Sequence, residues 1–330
     1  MRFRVFVLTL GVTVAAALPV SAAGRATPPD EAIGYWTAER VQGAQPRDVV
    51  LDVARGPVQP RPKPDKPGNK PDPGDGTDGT DGTGSTIVTG APWPDTPGDP
   101  IDDLVGKVLF TLGTSDYVCS ASTIAPSSGS RWVVMTAGHC TWDDTATLAT
   151  NWVFVPDYET VRDFGCSKAG GSLGTSGGSC YAATSLHPHL GWTAPGDNYL
   201  ADVAFARMAD SRPGQKDVPD TALPVLRTQS AIGAEVTALG YPAAKKYSGS
   251  DLIHCLGTAV AGPSPYSDNP GLACDMTGGS SGGPWYSYTD GNKVLEATSL
   301  NSFGLRGYNG YMFGPAFDDG AAAALASASG

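Results

Sequence analysis

The stretch CDMTGGSSGGPW at residues 274–285 decides the reading of this chain. A serine hydroxyl is a poor nucleophile at neutral pH. It becomes a good one when a neutral imidazole takes its proton and a carboxylate holds that imidazole in the right tautomer. Ser281 lies among Gly278, Gly279, Gly282 and Gly283, and backbone without side chains lets N–H groups converge on one point, as a developing oxyanion requires. Two other stretches supply the partners. TAGHC at 136–140 places His139 after a strand-like run and beside Cys140, and DVAF at 202–205 places Asp202 at the head of another such run. The candidate base, orienting carboxylate and nucleophile are His139, Asp202 and Ser281.

Each of these residue types has a duller use. Glycine-serine runs are commonly loops, and GTSGG at 174–178 reads as one; the run at 278–283 is set apart by its apolar and aromatic flanks. His187, His189 and His254 read as core or surface histidines. Asp143, Asp144, Asp157 and Asp163 are alternative carboxylates, the first two too close to His139 along the chain to reach behind its ring.

Outward from these stretches the chain is a series of short apolar runs: VLFTL at 108–112, YVCSAST at 117–123, WVVMTA at 132–137, WVFV at 152–155, DVAFARM at 202–208 and VTALGY at 236–241. Turn residues separate them and long helical periodicity is absent, which predicts an all-β sandwich or barrel. The alanine-rich end at 321–328 reads as a last helical turn or a fraying tail. Six cysteines, Cys119, Cys140, Cys166, Cys180, Cys255 and Cys274, pair most simply in sequence order, one of fifteen connectivities. No Cys-x-x-Cys pair points to zinc, so no metal or other cofactor is expected.

With both motifs in hand, the chain resembles the trypsin-fold serine proteases over about residues 100–318, TAGHC carrying the general base and GSSGGP the nucleophile. The resemblance implies two six-stranded antiparallel β-barrels with the catalytic cleft between them, and serine endopeptidase chemistry through an acyl-enzyme. It implies His139 as base, Asp202 as its partner, Ser281 as nucleophile, and the N–H groups of Gly279 and Ser281 as the oxyanion hole. Cys119 and Cys140 match the disulfide that brackets the histidine loop. Ser302, Phe303 and Gly304 match the strand that pairs with extended substrate, and Gly304 and Gly310 would leave the primary pocket open. Asp275 falls where a trypsin-like enzyme keeps its pocket carboxylate, which favours Arg or Lys before the scissile bond. The family's aspartate before the nucleophile is replaced by Ser280, so its ion pair with a new N-terminus cannot form, and the pattern suggests the bacterial branch that includes glutamyl endopeptidases. That branch's pocket histidine would sit beside Ser302, where this chain has Asn301. An esterase with the same triad, or a non-catalytic binding module on the scaffold, are the competing functions.

The remainder of the chain concerns export. Arg2 and Arg4 precede an apolar run from Val5 to Val20 and then small residues, the pattern of a secretory signal over 1–23. Residues 24–56 hold one short helical pattern around Ile33, Trp36 and Val41, too little for an independent core, and read as a pro-segment that docks on a larger body or as a weakly ordered tether. GYWTAER at 34–40 resembles pro-segments of secreted actinobacterial proteases, so zymogen control is expected. Residues 57–100 are Pro- and Gly-rich and read as a solvated linker, with Ile87 and Val88 a candidate mature start. Barrels are expected at 101–215 and 216–318, and a tail at 319–330. The net charge of −11 falls on residues 87–330, because residues 1–86 carry ten basic and ten acidic side chains. An acidic body without a clustered cationic face excludes nucleic acid and anionic membrane as partners. The expected product is a secreted, disulfide-bonded monomer acting on protein or peptide substrates.

Overall fold

The computed structural model describes residues 23–52, 88–94, 99–143, 147–161, 180–194, 198–210, 223–289 and 294–330. The expected signal sequence, most of the linker and Cys166 lie outside the described residues.

Six strands build the first lobe: β1 Val105–Leu112, β2 Ser115–Ile124, β3 Val133–Thr136, β4 Thr150–Pro156, β5 Tyr181–Pro188 and β6 Ala204–Met208. They pair antiparallel in the order β5, β6, β3, β2, β1, β4, and β4 pairs back onto β5, closing the ring. All eight residues of β1 are buried, because one face lines the barrel and the other is covered by the rest of the molecule. Val108, Phe110, Val133, Val153, Phe154 and Phe205 fill this core. β-branched and aromatic side chains suit such a doubly covered pleated surface.

The second lobe comprises β7 Glu235–Gly240, β8 Ile253–Thr258, β9 Pro270–Ala273, β10 Pro284–Thr289, β11 Val294–Leu300, β12 Gly304–Arg306 and β13 Tyr311–Phe313. Here the hydrogen bonding divides into a sheet running β11, β10, β7, β8 and a smaller one containing β9 and β13. The two sheets part between β8 and β9, a segment that carries Pro263, Pro265 and Pro270, none of which offers an N–H donor. Cys255–Cys274 joins the two sheets across that break. Trp285 and Leu272 anchor its core.

Two parts of the chain differ from the sequence expectation, and a third, residues 23–52, is seen docked. Residues 88–94 lie within the expected linker, yet Ala91–Pro92 pairs with β8 and the Trp93 N–H donates to the Leu252 carbonyl at 2.7 Å. Residues 319–330 are neither a single turn nor frayed: Asp319–Ser329 is an 11-residue helix. Asp318 caps it by accepting from the Ala321 N–H, and Ala324, Leu325 and Ala328 pack into the core of the first lobe. Arg207 of β6 closes its far end by donating to the carbonyls of Ala328 and Ser327, each at 2.8 Å. Residues 23–52 dock on the first lobe, with Ile33 and Trp36 buried and the Trp36 indole N–H donating to the Asn151 carbonyl at 2.7 Å.

His187 of β5 lies under this final helix, its ring nitrogens facing the hydroxyls of Ser185 at 2.7 Å and Ser327 at 2.8 Å. Burial, assisted by the nearby Arg207 charge, pushes the imidazole down to about 4. The unfolded chain binds the proton more readily, near pH 6.5. The neutral histidine therefore stabilises the fold above pH 6.5, and that contribution is lost as pH falls from about 6.5 toward about 4. Urea midpoints measured across this range should fall more steeply for the native chain than for His187→Gln, which keeps polar contacts and does not titrate.

Candidate active site

Pairing of β3 with β6 places Ala204 opposite Thr136. Residues just past those strand ends therefore meet: His139 in the short helix Gly138–Cys140, and Asp202 at the end of the short helix Tyr199–Ala201. Asp202 Oδ1 accepts from the His139 backbone N–H and Oδ2 from the ring Nδ1–H, both at 2.8 Å. The Ser302 hydroxyl also donates to Oδ2. Asp202 is 0% exposed. Burial alone would push its carboxyl up, but attraction to the His139 ring whenever that ring is protonated and the donors from His139 and Ser302 outweigh it and hold it below the usual carboxylate value. A carboxylate only accepts, so Nδ1 carries the hydrogen and the neutral ring keeps its lone pair on Nε2.

The Ser281 loop meets this pair from the second lobe. Gly279 sits at φ +95°, a conformation that disfavours side chains. Its N–H donates at 3.3 Å to the backbone carbonyl of Arg47, and the Ser281 hydroxyl donates to the same oxygen at 3.2 Å. His139 Nε2 is buried and has no hydrogen-bond partner among the described residues. The expected serine-to-imidazole hydrogen bond is thus replaced by one to Arg47. Gly282 and Gly283 have a different reason to be glycine from the convergence read in the sequence. Their N–H groups donate to the carbonyls of Asn301 and Ser280 at 2.7 and 2.9 Å. A Cβ on Gly282 would lie 2.3 Å from the Ser120 carbonyl oxygen, and one on Gly283 would lie 2.0 Å from that of Leu239.

No family model and no curated protein sequence matches the chain. Solved structures do. A thermostable serine protease, AL20, from an extremophilic microorganism is 32% identical over 70% of this chain and 99% of its own, with a TM-score of 0.56. The chain belongs to the bacterial serine proteases of the trypsin/chymotrypsin-like fold. The protease Anisep from Arthrobacter nicotinovorans is also 32% identical, over 70% of this chain and 97% of its own, at a TM-score of 0.56. A Glu endopeptidase shares the fold at 16% identity and a TM-score of 0.50, over 73% of this chain and 96% of its own.

In this serine protease the remaining site residues fall into three groups. Gly304 offers backbone to an extended partner, its N–H donating to the Val49 carbonyl at 2.9 Å. Gly310, at φ +79°, forms the turn before β13. The other side chains assigned to substrate are employed elsewhere. Ser302 serves Asp202, and the Phe303 ring is 1% exposed and stacked on Phe313. Asp275 accepts from the Gly90 N–H at 2.8 Å, the Tyr247 hydroxyl at 2.6 Å and the Lys246 ammonium. Those three donors outweigh burial and keep its carboxyl low. The carboxylate holds residues 88–90 in place instead of being presented to a substrate cation. Cys119 is bonded to Cys140, so their sulfurs, though close to His139, supply no thiolate for a metal.

Sequence reading missed Ser120, Asn301 and Arg47. Ser120 accepts from the Tyr241 N–H and donates to the Gly279 carbonyl, at 2.8 and 2.9 Å, fastening the nucleophile loop to the first lobe. Asn301 accepts from the Trp285 indole and donates to the carbonyls of Leu239 and Ser280. Ser280, in place of an acidic residue, closes a turn by donating to the Thr277 carbonyl at 2.8 Å. The crowding at Gly282 predicts that Gly282→Ala loses about 2 kcal/mol or more of stability by overpacking and left-handed strain. Chemical denaturation of the purified variant checks this.

Proposed function

We propose that the chain is a secreted serine endopeptidase, made as a zymogen, that hydrolyses peptide bonds through an acyl-enzyme. The observation that carries the reading is His139 held at its backbone and ring by both oxygens of a fully buried Asp202. In the reaction the Ser281 hydroxyl proton passes to His139 Nε2 as Oγ bonds to the substrate carbonyl carbon. The N–H groups of Gly279 and Ser281 take the oxyanion, and His139 returns the proton to the leaving amine; water then releases the acyl group by the same route in reverse. A main-chain carbonyl oxygen already accepts from the Gly279 N–H, which supports the oxyanion assignment. Each such donor is worth about 3 to 4 kcal/mol to the transition state. Export is supported by disulfides at Cys119–Cys140 and Cys255–Cys274, since thiols are oxidised outside the cytosol.

Two measurements test this. A fluorophosphonate should label the processed protein and fail on Ser281→Ala; labelling that survives removes Ser281 from its role. Asp202→Asn, which leaves the ring in the wrong tautomer, should lower kcat by about 10⁴-fold on a cleaved peptide.

A further inference from the structure

Residues 44–52 run along the cleft between the two lobes and contact both. Gln45–Pro46 pairs parallel with Tyr117–Val118, and the Arg47 N–H donates to the Val118 carbonyl at 3.0 Å. The Arg47 carbonyl then accepts from Gly279 and Ser281. Asp48 lies over Gly278, where an added Cβ would stand 2.6 Å from the aspartate's own. Val50–Asp52 pairs parallel with Gly304–Arg306. Val49 and Leu51 are buried among Trp192, Tyr199, Phe303 and Leu305. A second attachment lies away from the cleft, where Trp36 is fully buried and Tyr35 and Arg40 bind Asp116.

This contact differs from a reacting one in its protons. Attack requires the Ser281 hydroxyl to donate to His139 Nε2, whereas here it donates to the oxygen of the bound carbonyl and Nε2 has no partner among the described residues. The nucleophile and an oxyanion donor are both engaged by the Arg47 carbonyl.

We infer that residues 24–52 are a self-supplied inhibitor that fills the cleft in an unreactive pose, its Arg47 carbonyl capping Ser281, and that it stays bound after the chain is cut within 53–87. The inference rests on Ser281 being the nucleophile. Two anchors explain retention: the cleft strand alone would be displaced by any extended peptide, whereas the Trp36 site holds the segment nearby at high effective concentration. Activation then requires destruction of the segment itself, beyond a cut in the linker.

The test compares fluorophosphonate labelling rates for the full chain, the chain nicked within 53–87, and the chain digested until residues 24–52 are lost. The full and nicked forms should label at least ten-fold more slowly than the digested one, with the 24–52 fragment co-eluting with the nicked body and the Arg47–Asp48 bond intact by mass. Trp36→Ala and Leu51→Ser, altering opposite ends of the segment, should each speed labelling of the nicked form at least ten-fold. Full-rate labelling on nicking alone, equal rates for both variants and the native chain, or cleavage after Arg47 would overturn the inference. If no form labels, including the digested one, the nucleophile assignment fails and not the inhibitor alone.

Discussion

A fully buried carboxylate is the constraint around which this molecule is organised. Asp202 has no solvent to stabilise its charge, and an unpaired ion in that position costs several kcal/mol. Its donors come from two directions: the backbone and ring of His139 in the first lobe, and the hydroxyl of Ser302 in the second. The charge therefore orients the imidazole and requires the two lobes to be in register. Ser120 and Asn301 extend the same logic. Each uses a short polar side chain to satisfy buried backbone groups, Ser120 across the two lobes and Asn301 within the second.

The cleft shows the other side of this organisation. A site built to receive a carbonyl oxygen receives whichever extended backbone is nearest, and in this chain that is its own residues 44–52. The same main-chain oxygen, that of Arg47, meets the Gly279 N–H and the Ser281 hydroxyl, so one carbonyl occupies both groups at once.

How much of this was legible in the sequence follows from what each feature depends on. The meeting of His139 with Asp202 could be expected because both stand in short motifs at the ends of strands that pair. The first barrel was readable from its apolar runs. The roles of Gly282 and Gly283 were not, since their glycines answer to Ser120 and Leu239, far away in sequence. The partners of Asp275 were not legible either, because an offset along the chain says nothing of the Lys246, Tyr247 and Gly90 donors that meet it. The tail misled for a related reason: an alanine run has helix propensity but little hydrophobic contrast. What stabilises it is Arg207 and the core of a lobe that precedes it by more than a hundred residues.

That tail has a mechanical consequence. The strand Tyr311–Phe313 belongs to the second lobe, and the helix Asp319–Ser329 that follows is packed on the first. The chain passes between the halves through residues 314–318, as it also does between Pro46 and Val50, between Pro92 and Val105, and after β6. Each such connection restrains hinge bending between the halves.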